Sequence, residues 1–115
     1  MPRVKRAVIR RKRLTKLFKA SKGFFGGRKN LIRTATNAVQ KARQHQYAHR
    51  RARKGDFRRL WIVRINAASR LHGMSYSRFI GGLSKAGVDV NRKILAQIAI
   101  EDPTGFAGLV EAARG

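Results

Sequence analysis

Two histidines four positions apart are the first residues whose spacing could support chemistry. His45 and His49 would lie on one face of a helix, an arrangement in which two imidazoles can hold a zinc ion. The chain has no cysteine, no carboxylate lies near the pair in the sequence, and the surrounding cations would repel a divalent ion. We therefore predict no metal site and expect both histidines to face solvent or a binding partner.

Carboxylates are too few and too scattered for acid–base or metal-dependent catalysis. The chain has only five Asp and Glu residues. Glu101 and Asp102 are adjacent, but Pro103 follows them, so the end of one helix and the cap of the next explain the pair. His72 directly precedes Gly73, where a helix is expected to end. Histidine is common at helix C-termini for capping reasons alone, so this position does not indicate a catalytic role. A nuclease would need clustered carboxylates beside its phosphate site, so we predict no enzyme and no cofactor.

Positive charge is the main chemical property of this chain. The sequence has 28 Lys and Arg residues against the five acids, a net charge of +23. Residues 1–59 carry 21 of these cations and only Asp56 as an acid, whereas residues 60–115 carry 7 cations and 4 acids. Because the chain cannot neutralise this charge, we expect a polyanionic partner, whose phosphates would release counterions on binding. The lack of cysteine fits a reducing compartment.

Two aromatic residues lie among glycines in the segment KGFFGG, residues 22–27. Glycine permits turns and close approach to another surface, so the segment predicts a turn. In a nucleic-acid-binding protein, Phe24 and Phe25 could stack on unpaired bases. An apolar contact with a helix or a neighbouring protein explains them equally well. A P-loop is excluded, because the G-x-x-x-x-G-K-[ST] pattern does not occur.

The first half of the chain predicts an arm that lacks a core. The segment from Pro2 to Asn30 has many cations, no acid and few apolar residues, so we expect it to be irregular when free. Residues 28–54 contain neither Gly nor Pro and predict a long helix. The apolar stripe of this helix is narrow and consists of Leu31, Ala35, Ala38 and Ala42. Such a basic helix suits a cleft between phosphates better than a protein core.

The second half predicts a small helical domain over residues 57–115. Its apolar residues recur at helical spacing in four groups: Phe57, Leu60, Trp61, Ile65, Ala68 and Leu71; Tyr76, Phe79, Ile80 and Leu83; Ile94, Leu95 and Ile98; Phe106, Leu109 and Val110. Gly73 and Gly87 are placed to end the first two helices, and Asp89 or Asn91 and then Asp102 to begin the last two. The predicted fold class is all-α, with a long basic N-terminal arm, helical or extended, over residues 1–56.

Four stretches carry a resemblance to a known family. They are RVKR at residues 3–6, KASKGFFGGRKNLIRTA at 19–35, DFRRLWIVRINAA at 56–68 and GMSYSRFIGGLSKAGVDVNRKILA at 73–96. In this order they resemble the bacterial large-subunit ribosomal protein L20 family over nearly the whole chain. The resemblance begins at residue 3, which argues against a cleavable transit peptide. Gly55 departs from the family pattern, which favours a basic or bulky residue there, and predicts a bend at residues 54–56.

The resemblance implies a structural rRNA-binding protein of the large ribosomal subunit. It implies a basic extension threaded among rRNA helices, a helical head at the subunit surface and an early role in subunit assembly. Some members of the family also repress translation of their own message. The implied partners are large-subunit rRNA and neighbouring ribosomal proteins, in the bacterial cytoplasm rather than an organelle. We expect no membrane contact and no homo-oligomer.

We expect the extension to supply affinity by clamping rRNA phosphates, and RNA shape and the head to supply selectivity. Tyr76 is a further candidate in the head; the alternative is that Tyr76 belongs to the core and that the arginines of the head are merely solvated. The predicted RNA-binding residues are Arg3, Lys5, Arg6, Arg10, Arg11, Lys12, Arg13, Lys16, Lys19, Lys22, Phe24, Phe25, Arg28, Lys29, Arg33, Lys41, Arg43, His49, Arg50, Arg51, Arg53, Lys54, Arg58, Arg59, Arg64, Arg70, Ser77 and Arg78.

Three other functions are compatible with parts of this pattern. A nucleoid-type DNA-compacting protein would show the same division of charge, and composition does not separate RNA from DNA. A membrane-active cationic peptide would need a continuous amphipathic face, whereas residues 1–54 have only a thin one. A basic hydrolase would need the clustered carboxylates that this sequence lacks.

Overall fold

The computed structural model describes residues 3–115 and is built entirely from helices and their connections. Its α-helices are α1 (Ala7–Ala20), α2 (Ile32–Leu71), α3 (Tyr76–Lys85), α4 (Arg92–Glu101) and α5 (Pro103–Arg114), with one 3₁₀ turn at Gly26–Arg28. No strand occurs in this range, so the predicted all-α class is confirmed. Met1 and Pro2, where the segment predicted to be irregular begins, lie outside the described residues.

Tertiary contacts divide the chain into two units. The first ends at Arg51 and the second runs from Ala52 to Gly115. The change falls within α2, which contributes residues to both units. The boundary predicted between residues 56 and 57 from charge and hydrophobic pattern stays a prediction.

Helix α1 lies where the sequence predicted an irregular segment. It spans 14 residues, buries none of them and has no side chain capping its N-terminus. Leu14, Leu17 and Phe18 are half-buried, and the cations around them are exposed. Arg, Lys and Leu have good intrinsic helix propensity, and in α1 this propensity outweighs the repulsion between the cations.

Helix α2 runs without interruption through the position where a bend was predicted. Residues 54–56, including Gly55, are helical. Ala, Arg, Gln and Lys dominate the preceding turns, and one glycine weakens such a helix by only about 1 kcal/mol. The apolar stripe predicted for the first part of this helix was partly wrong. Leu31 is exposed, whereas Ala35 and Val39 are buried. Within residues 3–115, none of the helices has the combined length and hydropathy of a membrane-spanning segment.

The second unit has a single apolar core. Its fully enclosed residues are Ile65, Phe79, Leu83, Leu95, Ala96, Phe106 and Val110. Trp61 and Ala68 pack against it from α2, and the rings of Phe79 and Phe106 lie 5.1 Å apart. Helix α5 packs against both α3 and α4. The predicted helices of the head are thereby confirmed.

Some predicted core positions lie outside that core. Phe57, Leu60 and Ile94 are exposed, and Leu71 is 87% exposed. The three other helices of this unit have only 10 to 12 residues each, so they are too short to cover the whole apolar stripe that was predicted on α2. Periodicity identified the correct face of α2 but overestimated the length that is covered.

The ends of the helices follow the predicted caps. Gly73 and Gly87 have φ angles of +73° and +71°, and the amides after them donate to Ser69 and Leu83 carbonyls, as in Schellman motifs. The Asn91 side chain accepts a hydrogen bond from the Ile94 amide at 2.9 Å and begins α4. These caps set the paths between helices and so place the exposed side chains of the head.

Candidate RNA-binding surface

Nearly every side chain predicted to bind RNA is exposed. Phe24 is half-buried, and all the others in that set are open to solvent. Among all Lys and Arg residues, only Arg92 is half-buried. Exposure is required for contact with a phosphate, and the individual RNA contacts stay predictions.

Few of these cations have an acidic neighbour. In the described residues, ion pairs join Arg59 to Asp56 at 3.7 Å and Arg114 to Glu111 at 2.9 Å. The first pair is long and its side chains are largely exposed, so it contributes little binding energy. Between residues 3 and 55 there is no carboxylate at all. The charge of this part of the chain is thus free to act on an external anion.

The densest group of cations lies along the middle of α2. Residues 51–60 are all exposed, and at about 100° per residue the cations there include pairs on opposite sides of the helix. The group consists of Arg50, Arg51, Arg53, Lys54, Arg58 and Arg59. Within one turn these like charges repel one another, and an adjacent row of phosphates would relieve that repulsion.

Several aromatic rings accompany these cations. The Arg51 guanidinium lies 4.0 Å from the centre of the Tyr47 ring, and that of Arg53 lies 5.6 Å from the Phe57 ring. Both are within the range of a cation–π interaction, which orients the guanidinium without neutralising it. Arginines held in this way retain their donors for phosphate oxygens.

The predicted histidine pair is present, with ring centres of His45 and His49 5.8 Å apart. Within residues 3–115 no group of three or more His, Cys, Asp or Glu side chains is arranged to hold a metal ion.

The turn after α1 is organised by Ser21, which is not among the predicted site residues. Its side chain is fully buried, and its hydroxyl lies 3.0 Å from the Lys29 carbonyl and 3.3 Å from the Phe18 carbonyl, either of which can accept its proton. This contact closes the turn by joining its two ends. A serine after a helix is common, so its sequence context gave no sign of this role.

In the head, the predicted candidates divide between surface and core. Arg64, Arg70, Ser77 and Arg78 are exposed. Tyr76 is half-buried and packs against the core, and its hydroxyl accepts a hydrogen bond from Arg92 Nε at 2.8 Å. Tyr76 thus packs against the core, and an RNA contact of this residue stays a prediction.

Asp102 serves as a helix cap. Its carboxylate accepts hydrogen bonds from the Thr104 hydroxyl at 2.6 Å and the Gly105 amide at 2.9 Å. The Thr104 hydrogen bond, followed by that of Gly105, lowers the pKa of Asp102 below its ordinary value of 3.8. A general acid would need the opposite shift, so this side chain stabilises the start of α5.

Comparison with known proteins identifies the family. The model of the family described as ribosomal protein L20 matches residues 3–109. The chain belongs to the ribosomal protein L20 family. Proteins named large ribosomal subunit protein bL20 are similar along almost their whole length. The one from Roseiflexus sp. (strain RS-1) is 56% identical over 114 residues, which cover 99% of this chain and 97% of that protein.

Two other L20 relatives show the same extent of similarity. The protein of Syntrophus aciditrophicus (strain SB) is 54% identical over 115 residues, covering 100% of this chain and 97% of its own. That of Methylibium petroleiphilum is 57% identical over 111 residues, covering 96% and 94%. Membership of the L20 family confirms the resemblance seen in the sequence, and it confirms a structural ribosomal protein rather than an enzyme.

Proposed function

We propose that this L20 family member binds large-subunit rRNA and clamps separate rRNA segments together during early assembly of the subunit. The observation that supports this most is the unneutralised charge of the first unit. Residues 3–55 contain no acid, and their Lys and Arg side chains are exposed. A folded RNA offers the dense phosphates that such a surface requires.

The arrangement of the helices supports binding to more than one RNA segment. Cations lie on opposite sides of α1 and of the middle of α2 rather than on one face. A helix with cations on opposite sides can contact phosphates on both sides at once, so two RNA strands can be neutralised by one protein element. Neighbouring ribosomal proteins would contact the remaining surface, and the cytoplasmic bacterial ribosome is the proposed location.

Repression of its own message is a second role that the resemblance implies for some members of the family. It would use the same affinity for folded RNA, through the exposed arginines of the head. Binding of the full chain to its own leader transcript, compared with an unrelated transcript of equal length, tests this role.

The test of the proposal is competition between RNA and DNA. The full chain is bound to a structured large-subunit rRNA fragment and challenged with duplex DNA of equal length at about 0.3 M salt. We expect the rRNA fragment to be retained, and its affinity to fall about a thousandfold or more between about 50 and 200 mM salt, as for several phosphate contacts. Preferential binding to DNA would instead support a DNA-compacting protein.

A further inference from the structure

A groove of about 770 Å³ opens on the first unit between the turn after α1 and the first part of α2. We call it the aromatic groove and define it by Phe24, Phe25, Arg28, Arg33, Ala38 and Lys41. Phe24 and the small Ala38 provide apolar surface, and the three cations lie among the lining residues. The groove thus combines an apolar surface with positive charge.

Phe25 is the most unusual residue of this groove. Its side chain is 90% exposed, whereas the adjacent Phe24 is half-buried. The backbone around it is specialised, because Gly23 and Gly26 have φ angles of +85° and +58°. Left-handed glycines and the buried Ser21 hydroxyl fix the turn that presents this ring to solvent. A flat apolar surface held in water in this way is suited to stacking with another flat group.

The charges of the groove define the second property of its occupant. Arg28, Arg33 and Lys41 are exposed, and no carboxylate lies anywhere in residues 3–55 to pair with them. The Asn37 side chain, also in the groove, can both donate and accept hydrogen bonds. The occupant should therefore carry negative charge together with a flat face and polar edges.

We propose that the aromatic groove holds an unpaired nucleotide of the RNA, with its base stacked on Phe25 and nearby phosphates bound by Arg28, Arg33 and Lys41. An unpaired nucleotide has all three properties, whereas a duplex hides the faces of its bases. An acidic peptide would satisfy the cations but not the ring. The inference rests on the proposed RNA binding and adds a preference for unpaired bases to it.

The experiment compares two RNA hairpins that differ by one bulged 4-thiouridine, present in the first and absent from the second. Affinities of the full chain for both are measured over a range of salt concentrations. We expect the bulged hairpin to bind about tenfold more tightly, as one base stacked on an aromatic ring would give. On irradiation, the bulged thiouridine should form a crosslink to the peptide that contains Phe24 and Phe25.

Three variants make the test specific. Phe25→Leu should abolish the preference while leaving the salt dependence unchanged, because no phosphate contact is lost. Phe25→Trp should preserve the preference, since it retains an aromatic face. Tyr47→Leu is the matched control, because Tyr47 is an exposed aromatic residue on α2 outside the groove lining. It removes the ring that orients Arg51, so it should lower the affinity for both hairpins alike and preserve the preference.

The outcomes separate this inference from the proposed function. Tight, salt-dependent binding of both hairpins with equal affinity would overturn the inference and leave the proposed function intact. A preference that survives in Phe25→Leu, or a crosslink confined to other segments, would also overturn it. Displacement of the crosslink by an acidic peptide but not by single-stranded RNA would assign the groove to a protein partner. Failure to bind either hairpin or any rRNA fragment would contradict the proposed function itself.

Discussion

Single residues account for the close packing of the head, and Gly82 shows this most clearly. A side chain added at Gly82 would collide with the carbonyl of Ala113, so α3 and α5 approach each other closely there. The neighbouring Gly81 has open space around the same position. Two adjacent glycines of one helix therefore have different structural roles.

Substitution of these two glycines should change stability in opposite directions. Gly82→Ala forces α3 away from α5 and should lower the free energy of unfolding by about 1 to 3 kcal/mol. Gly81→Ala is the matched control and should raise it by about 0.5 to 1 kcal/mol, because alanine favours the helix. Urea unfolding followed by Trp61 fluorescence measures both. Equal effects of the two substitutions would contradict the close approach at Gly82.

The capping carboxylate of Asp102 predicts an acid-sensitive start of α5. Because hydrogen bonds from Thr104 and Gly105 lower the pKa of Asp102, its stabilising effect is complete above the ordinary carboxyl pKa. It is lost as the pH falls below the ordinary carboxyl pKa and through the lowered pKa of Asp102, so the urea midpoint should decrease on acidification through this range. Asp102→Asn keeps a capping oxygen but cannot titrate, and should reduce this decrease. An identical acid dependence in this variant would show that other carboxylates cause it.

At the scale of elements, α2 combines two kinds of sequence in one helix. Its C-terminal part places Ile65 in the core, and residues 51–60 are exposed on all sides. The exposed part makes no tertiary packing that would reward helix formation, so its stability depends on intrinsic propensity and on charge. Gly55 is the weakest position by propensity.

Gly55→Ala tests whether this part of α2 is a simple exposed helix. Nothing lies within 4 Å of the position that the new methyl group would occupy. The substitution should therefore stabilise the local helix by about 1 kcal/mol and slow amide hydrogen exchange around it. The nearby exposed Ala52 provides the reverse change, and Ala52→Gly should accelerate exchange. Faster exchange in Gly55→Ala would indicate that a bend at this glycine is part of the native structure.

The sequence predicts the elements whose signals are local and strong. Capping residues such as Asn91 and Asp102 and the terminal glycines Gly73 and Gly87 correctly located the helices of the head. Residues predicted to bind RNA could be recognised as exposed because lysine and arginine are rarely buried. Helix α1 was not predicted, because helix propensity favours it and repulsion between the cations opposes it. The difference between these two free-energy contributions is small. The role of Ser21 depends on its contact with the Lys29 carbonyl across the turn, which neither capping signals nor helical periodicity encode.

At the scale of the whole molecule, the two units should obtain their stability from different sources. The second unit has an apolar core of its own, with Phe79, Phe106 and Val110 fully buried. In the described residues of the first unit the only buried apolar side chains are Ala35 and Val39, and residues 1–51 carry 17 of the 28 cations and no acid. Burial on this scale contributes little to the free energy of folding, and repulsion among the cations opposes folding of this unit. We therefore expect RNA to complete the stability of the first unit.

Hydrogen–deuterium exchange of the full chain, free and bound to large-subunit rRNA, tests this claim most directly. In the free chain, we expect slow exchange in the core helices α3 to α5 and fast exchange in α1 and in residues 32–51. Addition of rRNA should slow exchange in those two regions by a hundredfold or more, on the order of 3 kcal/mol of added stability, while the core of the head changes little. Slow exchange of α1 and residues 32–51 without RNA, unaltered when rRNA is added, would contradict the account.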